Sequence, residues 1–103
     1  MTTLIVFFKL ADADAREAYE TWAATTDLPT VRALSSVERF DLYRVSGLLG
    51  SDLPAPCDYV ELIDVGDMAK FGDEVATDTM QQVASEFRTF ADNPVFLLTE
   101  RLP

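Results

Sequence analysis

The chain opens on TTLIVFFKL, a run of branched and aromatic residues from Thr2 to Leu10 that predicts a well-buried β-strand. The period then changes. Ala15, Ala18, Tyr19 and Trp22 recur at i, i+3, i+4 and i+7, the stripe of an amphipathic helix, and Asp14-Ala-Arg-Glu17 ahead of it reads as a capping box. Pro29 ends or restarts that helix. Asp27-Leu28-Pro29-Thr30-Val31 then opens a short second helix, with Asp27 expected to cap its first turn. Val37 to Val45 alternates again and predicts strand two.

The segment SGLLGSDLPAP carries two glycines and two prolines, so it reads as a long connection. Leu48, Leu49 and Leu53 are apolar for a loop, and are expected to cover the edge of the core or to lie over a pocket or partner. Tyr59 to Val65 predicts strand three, ended by Gly66, and Asp67 caps a turn through Met68 and Phe71. Met80, Val83, Ala84, Phe87 and Ala91 form the last helical stripe. Asn93-Pro94 stops it, and Val95 to Leu102 reads as strand four.

The resulting order, βαββαβ, predicts an α+β ferredoxin-like domain over residues 1–103, with a four-stranded antiparallel sheet and helices on one face. Two helices cover one side of a sheet, so the composition of the other side decides what it meets. Sorting each strand by its period of two separates an almost wholly apolar set, such as Leu4, Val6, Phe40 and Leu62, from a mixed one. The mixed set joins Tyr59, Glu61 and Ile63 of strand three to Arg39, Asp41 and Tyr43 of strand two. It also holds Ile5, Phe7 and Leu97, too much apolar surface for a solvated face. Both faces are therefore expected to be buried, which in so short a chain implies a homodimer packed sheet on sheet.

Charge narrows the partners. Eighteen acids against eight bases give a formal net charge of −10, and the bases are scattered, which argues against nucleic acid and anionic membrane surfaces. There is no histidine and Cys57 is the single cysteine, so no Cys/His metal-ligand spacing and no Ser/His or Cys/His catalytic arrangement can be written. Proton chemistry must rest on carboxylates, tyrosines, Lys9 or arginines. No apolar run reaches the roughly 18 residues of a membrane span, and the N-terminus lacks a basic leader pattern, so a soluble cytoplasmic protein is expected.

Within the mixed set Glu61 is the candidate catalytic acid or base: burial would raise its pKa, whereas Arg39 nearby would lower it. Tyr43 and Tyr59 supply directed O–H donors, Tyr43 as a catalytic partner and Tyr59 as an orienting one. Tyr19 and Trp22 are candidates to stack on an aromatic substrate. Arg39 and Asp41 read either as a same-strand ion pair or as substrate contacts. Alternation fixes which residues travel together; it leaves open whether the mixed set faces the helices or a second subunit.

Three segments carry a family resemblance: TTDLPTVRAL after the first helix, DLYRVSGLLGSDLPAPCDYVELIDV across the hairpin, and ATDTMQQVASEFRTFADNPVFLLTE at the end. Over nearly the whole chain they resemble the REDY-like HapK family of the dimeric α/β-barrel superfamily, named for proteins of prodiginine pigment pathways. The resemblance implies two ferredoxin-like subunits sharing a barrel, and a role in processing small molecules of secondary metabolism. The wider superfamily includes cofactor-free monooxygenases, isomerases and haem-degrading proteins, so fold alone does not choose a reaction. The combined expectation is acid–base cyclisation or condensation of an aromatic, pyrrole- or indole-like intermediate without a cofactor or metal. The alternatives are a non-catalytic carrier of such a ligand and a cofactor-free monooxygenase.

Overall fold

In the computed structural model, which describes residues 1–103, four strands form one antiparallel sheet. These are β1 (Thr2–Leu10), β2 (Val37–Arg44), β3 (Tyr59–Val65) and β4 (Ala91–Glu100), in the spatial order β2-β3-β1-β4. Helices α1 (Arg16–Trp22) and α2 (Leu28–Arg32) are joined by a π-helical turn, Ala23–Asp27, and α3 (Met68–Val75) precedes α4 (Asp78–Phe90). This is the ferredoxin-like α+β fold, with both crossover connections on one face of the sheet.

Local signals act mostly as read, with two shifts. Asp67 caps α3 by accepting from the Lys70 N–H at 3.1 Å, and Thr77 caps α4 by accepting from the Met80 N–H at 3.4 Å. Before α1, however, it is Asp12 rather than Asp14 that caps: its carboxylate accepts from the Asp14 N–H at 2.9 Å, opening a single 3-10 turn over Ala13–Ala15. At the other end α4 stops at Phe90, and β4 begins at Ala91 rather than Val95. It runs through Asn93-Pro94 because β4 is an edge strand, where a missing N–H costs no ladder bond. Asn93 takes φ 46° opposite a register shift between Phe7 and Lys9.

The phase between strands corrects the sorting of faces. Glu61 pairs with Val6 on one side and Leu42 on the other, and Tyr59 pairs with Phe8. Residues directly opposite share a face, so Tyr59, Glu61 and Ile63 lie beneath the helices with Leu4, Val6, Phe8 and Phe40. Arg39, Asp41 and Tyr43 pair with Asp64, Leu62 and Val60 on the opposite, helix-free face. Alternation inside a strand yields two sets, but pairing register decides which set joins which. Chemistry joins Glu61 to Arg39, Asp41 and Tyr43, whereas register joins it to the apolar residues of β1 and β2.

The helix-covered face holds the core, built around Val6, Phe8, Phe40, Tyr19, Tyr59 and Phe87. Each such side chain contributes on the order of 1.5–3 kcal/mol when fully buried. The other face is not buried within one chain: Ile5, Phe7, Val60 and Leu62 are half-buried there, and Tyr43 and Leu97 are exposed. In the connection between β2 and β3, Leu48, Leu49 and Leu53 are exposed within one chain and cover neither core nor cavity, which removes those two of the expected roles. No helix is long and apolar enough to cross a membrane.

Candidate active site

A cavity of about 190 Å³ lies between the sheet and the helices. Phe40, Glu61 and Ile63 form its floor, Asp27 and Val31 one wall, and Phe71, Met80, Val83 and Phe87 the other. Arg88, Pro94 and Phe96 stand at its mouth, where Arg88 is exposed and Phe96 is 60% exposed. The lining is predominantly apolar with a few convergent polar groups, the usual character of a small-molecule site.

Glu61 sits at the middle of β3, whose residues alternate between buried and half-buried from end to end. The central strand carries its carboxyl under the helix layer, leaving the residue 4% exposed and its Oε1 without a hydrogen-bond partner. Asp27 arrives from above. It ends the π-helical turn with φ −64° and ψ −58°, a helical backbone from which a side chain does not reach back to cap, and it makes no capping bond. It is instead 5% exposed and lines the cavity.

Burial acts on both acids. Desolvation, reinforced by the Asp27 charge, pushes the Glu61 carboxyl up to about 8, and desolvation pushes Asp27 up to about 6. No hydrogen bond joins them, so the coupling is through space, and the pair releases its two protons in separate steps. Near neutral pH the cavity therefore holds one carboxylate, chiefly on Asp27, and one proton, chiefly on Glu61. This is the arrangement that lets one acid donate while its neighbour stabilises positive charge or receives a proton.

The other predicted site residues stand elsewhere. Tyr59 is buried, but its O–H donates to Glu20 at 2.6 Å and accepts from Arg16 at 3.3 Å. Arg44 grips the same carboxylate, its Nε donating at 2.7 Å. Bonds from Arg44 and Tyr59 hold Glu20 down to about 2, while burial and Glu20 push Tyr59 up to about 12. Tyr59 is thus committed to a network outside the cavity. Tyr19 is fully buried in an aromatic cluster, 4.7 Å from Tyr59 and 5.5 Å from Phe8 between ring centres, and Trp22 donates its indole N–H to Glu86 at 3.1 Å. They back the core beside the site rather than line it.

On the helix-free face the same-strand pair is present: Arg39 meets Asp41 at 2.9 Å and Asp64 at 3.5 Å. Tyr43, 50% exposed, stands on that face too, across the sheet from Glu61. Arg39 therefore does not act on Glu61. Of the candidate catalytic and substrate-binding residues named from sequence, Glu61 alone lines the cavity.

Sequence reasoning missed Asp27 as a cavity group. A signal existed, because Tyr19, Ala23, Asp27 and Val31 recur every four residues and the other three are buried, which places an acid on an apolar stripe. Arg88 carried no such mark. No group of three or more His, Cys, Asp or Glu side chains converges as a metal-ligand set.

The profile of a family described as REDY-like protein HapK matches residues 2–102. Among solved structures, HapK from Hahella chejuensis superposes with a TM-score of 0.80 at 34% identity, covering 99% of this chain and 93% of that one. An ethyl tert-butyl ether d (ethd) family protein from Bacillus halodurans superposes at 0.77 with 14% identity, covering 99% of each chain. SnoaB, a cofactor-independent oxygenase from Streptomyces nogalater, does so at 0.73 with 19% identity, over 97% of this chain and 91% of its own. These last two show a shared fold. No curated protein matches the chain. Sequence profile, 34% identity and superposition over nearly the full length agree: the chain belongs to the REDY-like HapK family.

Proposed function

We propose that the protein processes a small aromatic molecule of secondary metabolism by proton transfer, with Glu61 as the acid that donates and retrieves the proton. The observation that carries this reading is a buried, unpartnered Glu61 carboxyl facing a second buried acid, Asp27, in an apolar cavity. Glu61 protonates a carbonyl or imine of the substrate, and the Asp27 carboxylate stabilises the cation or takes up the proton released when a new bond forms. That sequence is the acid–base core of a cyclisation or condensation. A positioned acid of this kind contributes about 10²–10⁴-fold in rate.

The functional unit in this proposal is a homodimer. The half-buried Ile5, Phe7, Val60 and Leu62 form an apolar patch on the helix-free face that a second copy would cover, consistent with the barrel implied by family membership. A cytoplasmic location fits the lack of disulfide-forming pairs.

The experiment is turnover of aromatic, pyrrole- and indole-type candidate substrates by the native chain and by Glu61→Gln, read by product mass. Loss of product with ligand binding retained supports the assignment; full turnover by Glu61→Gln defeats it. Saturable binding with unchanged ligand mass would make the protein a carrier, and oxygen consumption during turnover would make it a monooxygenase.

A further inference from the structure

The polar lining of the cavity divides by burial and by charge: two buried acids and one exposed cation, with apolar residues supplying nearly all the rest. At the closed end stand Asp27 and Glu61, 5% and 4% exposed, with Glu61 Oε1 lacking any protein partner. At the mouth stands Arg88, in the last turn of α4, exposed and in none of the protein's ion pairs. We propose that the ligand is a single aromatic ring bearing an N–H donor at its buried end and a carboxylate at its mouth end.

Three observations converge on this, and it rests on the cavity being the substrate site. Size comes first. A cavity of about 150 Å³ accepts benzene, so about 190 Å³ holds one ring and a short tail. Phe40, Phe71 and Phe87 supply the aromatic walls.

Orientation follows from charge. An anionic group driven to the closed end would meet the Asp27 carboxylate in a desolvated site, whereas an N–H donor pairs with that carboxylate, which accepts no hydrogen bond from the protein, and leaves the Glu61 proton free to act. At the mouth the relation inverts. A chain of net charge −10 repels anions at long range, so an anionic ligand needs a local cation, and Arg88 provides one at the opening. Only one direction of entry satisfies both ends.

The test is calorimetric titration at pH 7 of the full chain with three probes. They are 4-aminophenylacetate, 4-methylphenylacetate, which replaces the amine with a methyl group of similar size, and 4-aminophenylacetamide, which removes the charge. The first should bind saturably at one site. The methyl analogue should bind about tenfold more weakly, because a buried acceptor is left unpaired. The amide should bind about threefold more weakly, the scale of a solvent-exposed ion pair. Arg88→Gln should erase the acetate–amide difference alone, and Asp27→Asn should shrink the amine–methyl difference alone; circular dichroism confirms that both variants fold. Equal binding of the three probes, a reversed order or no binding of any overturns the proposal. That failure is separable from failure of the catalytic assignment: loss of turnover in Glu61→Gln without probe discrimination preserves the latter, and discrimination with full turnover preserves the former.

Discussion

Asp27 and Glu61 enter one cavity from opposite layers, the first from a π-helical turn and the second from the central strand β3, with both side chains almost fully buried. A wide turn in a helix and a carboxylate in a strand centre each run against local preference. Together they give the site a proton to hold and a charge to set beside it. π-helical turns recur where a helix is adapted to function rather than packing. Here the turn delivers an acid to the floor of the helix layer.

The pair makes stability depend on pH with a definite sign. Glu61 ionises at its ordinary value of 4.5 in the unfolded chain and near 8 in the fold, so over that window the unfolded chain loses a proton that the fold retains. Its contribution is full below 4.5 and lost as pH rises through about 8. Asp27 adds the same trend between 3.8 and about 6. Urea unfolding should therefore find Glu61→Gln more stable than the native chain at pH 8 by about 1–3 kcal/mol, with no such gain at pH 4.5.

Glu74 behaves in the opposite sense. Its carboxylate accepts from the N–H and hydroxyl of Ser35, each at 2.9 Å, and from the Ser36 N–H at 3.0 Å, fastening α3 to the turn before β2. Bonds from Ser36 and Ser35 hold it down to about 2, so its contribution is present above 4.5 and lost as pH falls through about 2. Glu74→Gln should lower the thermal midpoint at pH 6, and the gap to the native chain should close as the pH approaches 2. A constant gap across that range would show that the carboxylate charge is not what fastens the turn.

Placement separates the two residues first considered catalytic. Tyr43 lies on the helix-free face, so Tyr43→Phe should leave turnover within about twofold, whereas Glu61→Gln should reduce it about 10²-fold or more. Comparable losses in the two variants would mean that the reaction occurs on the other side of the sheet.

The helix-free face gives a prediction of its own. Sedimentation should show a dimer for the native chain, and Leu62→Arg, placing a charge at the centre of the proposed contact, should yield a folded monomer at micromolar concentration. A native chain that sediments as a monomer would remove the dimer from the account.

How far the sequence was legible follows from which signals are local. Caps, stripes and strand alternation are written within a few residues, and they gave the element order and the topology. The register between strands is not local. Tyr59, Glu61 and Ile63 form one set by alternation, but their partners depend on pairing across a long connection, and the register places Arg39, Asp41 and Tyr43 on the opposite face from the set to which the sequence joins them. Asp27 was masked differently, because an acid two residues before Pro29 has an ordinary explanation as a cap. Only the helical backbone of the π turn removes it.

The central claim is an acid pair, Asp27 and Glu61, coupled through space in one cavity. Its most direct test is carboxyl carbon NMR titration of Glu61 in the native chain and in Asp27→Asn. The predicted result is a Glu61 midpoint near 8 that moves downward when the Asp27 charge is removed, while staying above the ordinary 4.5 because burial persists. A midpoint at the ordinary value in the native chain, or one that does not respond to Asp27→Asn, would contradict it.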